Sequence, residues 1–413
     1  MPLVTRARFL LLIAVLYLVG SLVHGPREPE QMEGIAHLRV GRFIISRPMV
    51  LSGDSPHYLT AVQSLILDRD FDLRNNYDRA MQGGWDAGAR FRGVELDRHV
   101  DTDETGRQLP THSPFFSLLL AALVWPLAGS RWVESACILL TIAAALLGLR
   151  GAWEVFERTH PAENPQGTIA RVLLLALGTS LFCYSRDLWT EPWILAIWIG
   201  LLFFSHPAAS FVLGFLGSVI KYPFALVPFT MGVVHFFKGN RLQGAVLAAS
   251  SGAGLLTAFL VTQYLFQEVS HFSLFHVGTH SGASPKPVIG LVGTFFHPRD
   301  GLFPFFPLLA WGVWSFRKGG ALYLPAIAYF LVHALYAGWG GGTGFSSRYL
   351  VPMLPLLITG ISLPSQIRPG LFCLAAAYSL FWGIFGGLFP ALVFDRAPWE
   401  VFYHIYASMG LFQ

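Results

Sequence analysis

The stretch WVESACILLTIAAALLGL (132–149) carries a single charged residue, Glu134, and is followed directly by Arg150. An α-helix needs roughly 20 mainly apolar residues to cross the hydrocarbon core of a bilayer. This stretch therefore predicts a membrane-spanning helix, and similar apolar runs recur along the chain between short basic or Gly/Pro-rich breaks.

The composition supports a membrane protein. The chain has 413 residues, of which 54% are hydrophobic and 13% are charged, and soluble domains carry about 25% charged residues. We expect a single membrane domain over residues 1–413. The net charge of +4 identifies no partner, and no basic aromatic surface or motif points to nucleic acid. The cysteines all lie inside apolar runs and predict neither a disulfide framework nor a zinc site; they are Cys137, Cys183 and Cys373.

The basic residues between the apolar runs predict the topology. The runs lie near residues 9–23, 114–128, 132–149, 169–185, 192–205, 208–220, 223–237, 242–266, 302–316, 321–338, 349–363 and 370–394. If 114–128 lies along the outer interface, the basic connectors all become cytoplasmic. These connectors are Arg6, Arg8, Arg150, Arg158, Arg171, Lys238, Arg241, Arg317, Lys318 and Arg368. The predicted fold is an all-α, polytopic membrane protein with about eleven transmembrane helices, its N-terminus inside and its C-terminus outside.

This topology gathers the unusual polar residues at the outer face. Residues 24–131 become a large first extracytoplasmic loop with interfacial helices, and residues 132–413 hold the remaining transmembrane helices. Within that loop, LSGDSPHYLTAVQSLILDRDFDLRNNY (51–77) is rich in aspartate. The protein is thus expected in the cytoplasmic (inner) membrane, with its functional residues facing the outside or periplasm.

Asp54 stands just ahead of a predicted helix. Ser and Pro at 55–56 are typical of a helix start, and an apolar stripe at helical spacing suits the membrane boundary; the stripe consists of Leu59, Val62, Leu65 and Ile66. The positive end of the helix dipole favours the ionised carboxylate, which could act as a base. Alternatively, Asp54 only caps the helix.

Several segments resemble integral-membrane glycosyltransferases of the C-type fold (GT-C), in particular the group related to protein O-mannosyltransferases and the lipid A aminoarabinose transferase. The segment SGDSPHYLTAVQSLILDRDFDLRNNY (52–77) resembles the family's first extracytoplasmic loop. Later segments match in the same order, namely 111–129, GFLGSVIKYPFALVPF (214–229), HPRDGLFPFFPLLAWG (297–312) and GGTGFSSRYLVPMLPLL (341–357). Together they cover most of the chain, and their order carries more weight than any single motif.

The resemblance implies an inverting glycosyltransferase. Its donor would be a polyprenyl-phosphate sugar, and its acceptor a hydroxyl of a glycan, lipid or protein. Asp54 occupies the position of the family's general base. The family commonly has Glu at the next position, where this chain has Ser55. The second acid is then either lost or supplied by Asp187 or Glu191 in RDLWTEP (186–192).

Cations at the outer face are candidates for the donor phosphate. Lys221 ends one predicted span and Arg348 opens another, while Arg299 lies in a loop. Lys offers a point charge and Arg can bind two oxygens. The alternative is that these long side chains extend to the headgroup level. His57 and Tyr58 stand beside Asp54 as further candidates for substrate contact, or as packing residues.

The sequence supports no particular cofactor, and a divalent metal stays open because the acids of residues 99–106 supply oxygens that could hold Ca²⁺ or Mg²⁺. The stretch HFSLFHVGTH (271–280) contains His271, His276 and His280, but Gly278 interrupts the helix that zinc spacing would need, so loop histidines are expected. The stretch HVDTDETG (99–106) lacks the features of an EF-hand loop and is interpreted as a solvated acidic turn; its acids are Asp101, Asp103 and Glu104.

Two other classes of function stay open. A transporter or flippase of a lipid-linked or amphipathic solute would usually show an inverted repeat and ionisable groups near the bilayer midplane. Here no repeat is visible and the polar residues gather at one face. A non-catalytic membrane subunit with a degenerate site is the other alternative, which Ser55 keeps open.

Overall fold

The computed structural model describes residues 3–24, 36–41, 43–50, 53–81, 98–161, 165–266, 287–315, 323–336, 339–340, 344–361, 369–394 and 396–408. The fold is mostly helical. The α-helices are α1 (Leu3–Leu22), α2 (Ser55–Gln63), α3 (Arg74–Met81), α4 (Pro114–Val124), α5 (Val133–Thr159), α6 (Pro165–Leu177), α7 (Leu181–Ser185), α8 (Glu191–Phe203), α9 (Pro207–Ile220), α10 (Leu226–Phe237), α11 (Arg241–Phe266), α12 (Pro287–Phe296), α13 (Leu309–Ser315), α14 (Leu324–Ala334), α15 (Leu354–Thr359), α16 (Pro369–Leu388), α17 (Pro390–Val393) and α18 (Pro398–Ser408).

Short helical turns of other types extend several of these helices. A π-helix, Ser64–Asp68, continues α2, and 3₁₀ turns are formed by Trp125–Leu127, Tyr222–Ala225 and Arg348–Met353. The strands are few and short: β1 (Val23–His24), β2 (His37–Val40), β3 (Phe43–Ser46), β4 (Val100–Thr102) and β5 (Gln108–Pro110). The first three form an antiparallel sheet in the order β1-β3-β2, and β4 pairs with β5 as a hairpin.

Three helices in the described part of the chain, α5, α11 and α16, are long and apolar enough to cross a membrane. The prediction of a mainly helical protein with helices able to cross a bilayer is thereby confirmed. The apolar run 132–149 forms the first two thirds of α5, which continues past Arg150 to Thr159. Other apolar helical stretches have 10–17 residues. At 1.5 Å per residue a 13-residue helix is only about 20 Å long, less than the ~30 Å hydrocarbon core.

Glycines allow close approach between several of these helices. A Cβ atom on Gly383 of α16 would lie 2.1 Å from the carbonyl oxygen of Leu177 at the end of α6, and one on Gly312 of α13 would lie 2.1 Å from that of Leu357 in α15. Small residues at such crossings are typical of membrane helix packing, because they let backbones meet without a hydrophobic driving force.

Helix α2, in the described part of the predicted first loop, is packed into the protein, contrary to the expectation for this helix. Every residue of α2 is buried, and Leu59, Val62 and Ile66 belong to the main hydrophobic core, with Leu65 packed against it. Helix α4, which covers residues 114–124 of the predicted interfacial segment, lies against α2. The prediction that this apolar stripe faces the membrane boundary is therefore wrong. Helical spacing of apolar residues does not distinguish a lipid surface from a protein surface, and here neighbouring helices cover the stripe.

The acidic segment 99–106 behaves as predicted for a turn. It contains β4 and most of the turn that leads to β5, with Gly106 at a left-handed φ of +80°. The carboxylate of Asp103 accepts hydrogen bonds from Thr105 and Arg107, which closes the turn. The loop histidines His271, His276 and His280, and the basic residues Arg317, Lys318 and Arg368, lie outside the described residues.

Candidate functional site

Asp54 stands at the start of α2 but does not cap it with its side chain. Its backbone carbonyl accepts the N–H groups of His57 and Tyr58, both at 3.1 Å, and the carboxylate makes no capping hydrogen bond. Next to it, the Ser55 hydroxyl donates to the carbonyl of Leu188 at 3.1 Å. Ser55 therefore fixes the helix start to the segment between α7 and α8, and the capping alternative for the Asp54 side chain does not describe this structure.

The Asp54 carboxylate forms an ion pair with Arg348. Its Oδ2 lies 2.9 Å from Nη1 of Arg348, with side chains 14% and 9% exposed, and its Oδ1 lies 3.9 Å from Nε2 of His112. Burial alone would raise the pKa of Asp54. The guanidinium and the neighbouring imidazoles, that of His112 above all, outweigh burial and hold this pKa below its usual range. The carboxylate is therefore ionised at neutral pH.

The backbone around Arg348 is held in an unusual conformation. Ser346 has a left-handed φ of 57°, which costs a non-glycine residue about 1–3 kcal/mol. Its hydroxyl donates to Gly301 at 3.1 Å, and the Ser347 hydroxyl donates to the carbonyl of Asp300 at 2.7 Å and to that of Thr294. These bonds to the segment after α12 fix the point at which the 3₁₀ turn begins and so direct Arg348 towards Asp54.

A second ion pair joins two other predicted residues. Glu191 is the first residue of α8, where the helix dipole favours an anion, and Lys221 follows the last residue of α9. Nζ of Lys221 lies 2.6 Å from Oε1 of Glu191, and the side chains are 11% and 2% exposed. Lys221 and Arg348 thus lie within the protein, and extension to the lipid headgroups does not describe either of them.

The aromatic ring of Tyr349 brings the two ion pairs together. Nζ of Lys221 lies 4.7 Å from its centroid and Cζ of Arg348 lies 5.0 Å away, while Arg348 also lies 4.8 Å from the ring of Trp189. Cations over aromatic faces at these distances are attracted by the ring quadrupole. The structure thus places four of the predicted residues in one cluster, which we call the paired-charge cluster: Asp54, Glu191, Lys221 and Arg348.

Buried polar atoms around this cluster lack hydrogen-bond partners among the residues that the structure describes. They are Nε of Arg348, Nε1 of Trp189, Nε2 of His333 and the Tyr329 hydroxyl. His333 stacks on Tyr349 with centroids 4.5 Å apart, and Tyr329 contacts His333 at the same distance. Native proteins rarely leave buried polar groups unsatisfied, so these atoms are available to a bound water or ligand.

Three histidines of the first loop lie on the other side of Asp54. The hairpin brings His99 and His112 together, because Thr111 donates to the His99 carbonyl at 3.2 Å. Nδ1 of His99 and Nε2 of His112 are 3.2 Å apart. His57 stacks on His99 with centroids 3.8 Å apart, and its Nδ1 is hydrogen-bonded with the Tyr77 hydroxyl at 2.6 Å. Burial, followed by the other two imidazoles, lowers the pKa of His57 to about 3.

Of the remaining predicted residues, Tyr58 lies beside the site, with its ring centroid 5.0 Å from that of His112. Tyr58 is buried, and its ring packs edge-on against Phe116. Asp187 is buried between α7 and α8, and its carboxylate accepts the N–H of Leu188 at 2.7 Å. Arg299 is exposed and makes a two-bond ion pair with Glu400 of α18, at 2.7 and 3.0 Å.

Sequence reasoning missed several members of this site. Tyr349 and Trp189 each adjoin a chosen residue or motif, but an aromatic residue in an apolar run gives no signal of its own. His99 and His112 had a usable signal: they flank the acidic turn at nearly equal distances, so a hairpin would bring them together.

A scan against protein-family models, a search of curated proteins and a search of solved structures found no match to this chain.

Proposed function

We propose that this protein is an inverting membrane glycosyltransferase that moves a sugar from a polyprenyl-phosphate donor to an acceptor hydroxyl. The observation that carries the proposal is the paired-charge cluster together with the unsatisfied donors beside it. Arginine, tryptophan, tyrosine and histidine N–H or O–H groups near the paired-charge cluster suit an anion with several acceptor oxygens, such as a phosphodiester. The resemblance to the GT-C family points to the same ligand.

The proposed reaction is a single displacement. The Asp54 carboxylate accepts the proton of the acceptor hydroxyl, whose oxygen attacks the anomeric carbon opposite the phosphate. The bond between that carbon and the phosphate oxygen breaks, and its electron pair goes to the phosphate, which becomes a dianion. Arg348 and Lys221 stabilise the charge gained in this step. Attack from the opposite side inverts the configuration of the anomeric carbon.

In this proposal donor binding changes the basicity of the Asp54 carboxylate, because that carboxylate is paired with Arg348. A carboxylate held by a guanidinium is a weak base, because ionisation is already favoured. A phosphate that draws the guanidinium away would leave Asp54 next to the acceptor with a higher pKa. Glu191, which holds Lys221, acts in this scheme as a positioning residue, and Asp187 supports the segment to which Ser55 is bonded.

We further propose the topology in which this chemistry takes place. The protein would cross the cytoplasmic membrane about eleven times, with the short apolar helices packed into shared spans and the site facing the outside or periplasm. The donor would reach the site from the outer leaflet. This arrangement is supported by the three long apolar helices and by the origin of the carboxylate in the segment before α5.

The test uses a deletion strain complemented with variants. Mass spectrometry of membrane glycans and lipid-linked sugars should show a missing glycosylated product in the deletion, restored by the wild-type chain. Asp54→Asn should restore about 10²–10⁴-fold less product, the range typical of a lost general base. The control is Asp78→Asn, which removes an exposed carboxylate paired with Arg98 in the same loop.

The outcome separates the classes of function. Product restored to near wild-type levels by Asp54→Asn would overturn the proposed base. A deletion strain with unchanged glycans but an altered distribution of a lipid-linked solute between the leaflets would favour a transporter.

A further inference from the structure

The histidines of the first loop and Asp54 form a group with the ligand types of a metal site. In the described part of the chain, Asp54, His99 and His112 are the one set of three such residues whose ligand atoms all lie within 4.8 Å of one another. None of the three belongs to a surface cluster of acids: all are partly buried, and two of the ligands are imidazoles.

We propose that Asp54, His99 and His112 bind a divalent transition-metal ion, with Zn²⁺ as the preferred ion. Imidazole nitrogens and a carboxylate oxygen suit Zn²⁺, and three protein ligands with one open position are the pattern of catalytic rather than structural zinc sites. The ligand atoms are Oδ1 of Asp54, Nδ1 of His99 and Nε2 of His112.

The distances agree with this assignment. Two ligands of a tetrahedral zinc ion, each at about 2.0–2.1 Å from the metal, lie roughly 3.4 Å apart. The two imidazole nitrogens are 3.2 Å apart, and Oδ1 of Asp54 lies 3.9 Å from Nε2 of His112. The ligand atoms of Asp54 and His99 lie within 4.8 Å of each other, so this third pair has to approach by at most about 1.4 Å to reach the tetrahedral spacing.

The surroundings hold the ligands in place. Arg348 binds Oδ2 of Asp54, which leaves Oδ1 turned towards His112. The backbone bond from Thr111 to His99 fixes the two ends of the hairpin, and the ring of His57 stacks on that of His99. Such outer contacts orient metal ligands, and losing one typically lowers metal affinity about 10–100-fold.

A metal ion here would change the charge of the site. The paired-charge cluster contains two anions and two cations, so it is neutral as a unit. A divalent ion on Asp54 would give an excess positive charge next to Arg348, which an anionic ligand would offset. An acceptor hydroxyl in the open position would also lose its proton more easily. Oδ2 of Asp54 would accept that proton once a donor phosphate has drawn Arg348 away. The binding of metal itself does not depend on the proposed function.

The experiment measures zinc binding directly. The full-length chain is purified in detergent without a polyhistidine tag, stripped with a chelator and titrated with ZnCl₂ by calorimetry. We expect a site of one equivalent whose affinity falls at least about 100-fold in His99→Ala and in His112→Ala, beyond the 10–100-fold typical of losing an outer contact. The control is His297→Ala, which removes a histidine 2.8 Å from Asp300 and should leave this site unchanged.

Two further measurements distinguish the loss of metal ligands from a failure to fold. X-ray absorption of the zinc-loaded wild-type protein should show two imidazole ligands and oxygen donors, even if a variant fails to fold. His99→Gln and His112→Gln retain polarity and should lose the site as well. Wild-type protein that binds no zinc, or zinc binding that survives the loss of both histidines, would overturn the site. Because the readout is binding, a zinc-binding protein without transferase activity would refute only the proposed function.

Discussion

Lys221 offers a way to separate the stability of the site from its binding role, because its buried partner is known. Lys221→Met leaves Glu191 as an uncompensated anion at 2% exposure. Breaking a buried ion pair from one side typically costs about 3–5 kcal/mol, so we expect a clearly lower melting temperature in detergent. Lys221→Met combined with Glu191→Gln removes both charges and should recover most of the stability.

The same pair of variants tests the phosphate. If Lys221 binds the donor, the double variant should be stable yet bind a polyprenyl-phosphate sugar roughly 10–100-fold more weakly, as expected for losing about 1.5–3 kcal/mol of a charged contact. Arg299→Met is the matched control, since it removes an exposed cation paired with Glu400 and should change neither property much. Wild-type donor affinity in the double variant would exclude Lys221 from the phosphate contact.

The burial of His57 predicts that the free energy of unfolding depends on pH. Its pKa is about 3 in the folded protein, against an ordinary value of 6.5 for a histidine in an unfolded chain. Between these values the unfolded chain binds a proton that the folded chain does not, so the free energy of unfolding falls as the pH decreases from 6.5 towards 3. In His57→Gln this contribution is absent, and the melting temperature should decline less between about pH 7 and pH 4.5 than in wild type. Parallel profiles would show that His57 is not buried as a neutral imidazole.

At the scale of helices, two of the four glycines in α16 should respond differently to substitution by alanine. Gly383→Ala places a Cβ atom 2.1 Å from the Leu177 carbonyl oxygen, so α16 must shift away from α6. Overpacking of this kind typically costs about 1–3 kcal/mol. Gly370 has nothing within 4 Å of the Cβ position, and Gly370→Ala should not destabilise the protein. Thermal unfolding in detergent compares the two, and equal melting temperatures would contradict the packing of α16 on α6.

The sequence predicted most helices, but the structure places the ends of some helices at other residues. The run 132–149 ended at Arg150 by polarity, whereas α5 continues because Arg150 pairs with Glu154 one turn later at 2.8 Å. The run 302–316 was expected to be one span. Its helix begins only at Leu309, after a segment that contains Pro304 and Pro307, and proline disfavours helical conformation in the residue before it.

The candidate site was predictable in its residue types and not in its pairings. Lys221 and Arg348 stand at the ends of predicted spans, where ionisable residues are uncommon without a function, whereas Asp54 precedes a predicted helix in the segment that resembles the first GT-C loop. Their partners come from segments far apart in the chain, and spacing along the sequence carries no signal for such contacts. Arg299, the candidate cation in a loop, binds Glu400 instead.

For the whole molecule, cysteine labelling tests the proposed topology. Cys137 and Cys183 are buried and Cys373 is exposed, so Cys373→Ser gives a suitable background. In intact cells, a membrane-impermeant maleimide should label Thr105→Cys in the hairpin turn but not Pro161→Cys or Asn240→Cys, all of which are at exposed positions. The last two should react only after the membrane is opened. Labelling of both from outside would exclude the topology.

The ion pair between Asp54 and Arg348 can form only late in the synthesis of the chain. The two residues are separated by nearly 300 positions, and a ribosome adding about 5–20 residues per second needs roughly 15–60 s to travel between them. Throughout that interval the nascent chain contains Asp54 but not yet Arg348. A chain released before residue 348 would carry every residue of the first loop and still have no counter-charge for Asp54, which makes it a natural substrate for membrane quality control.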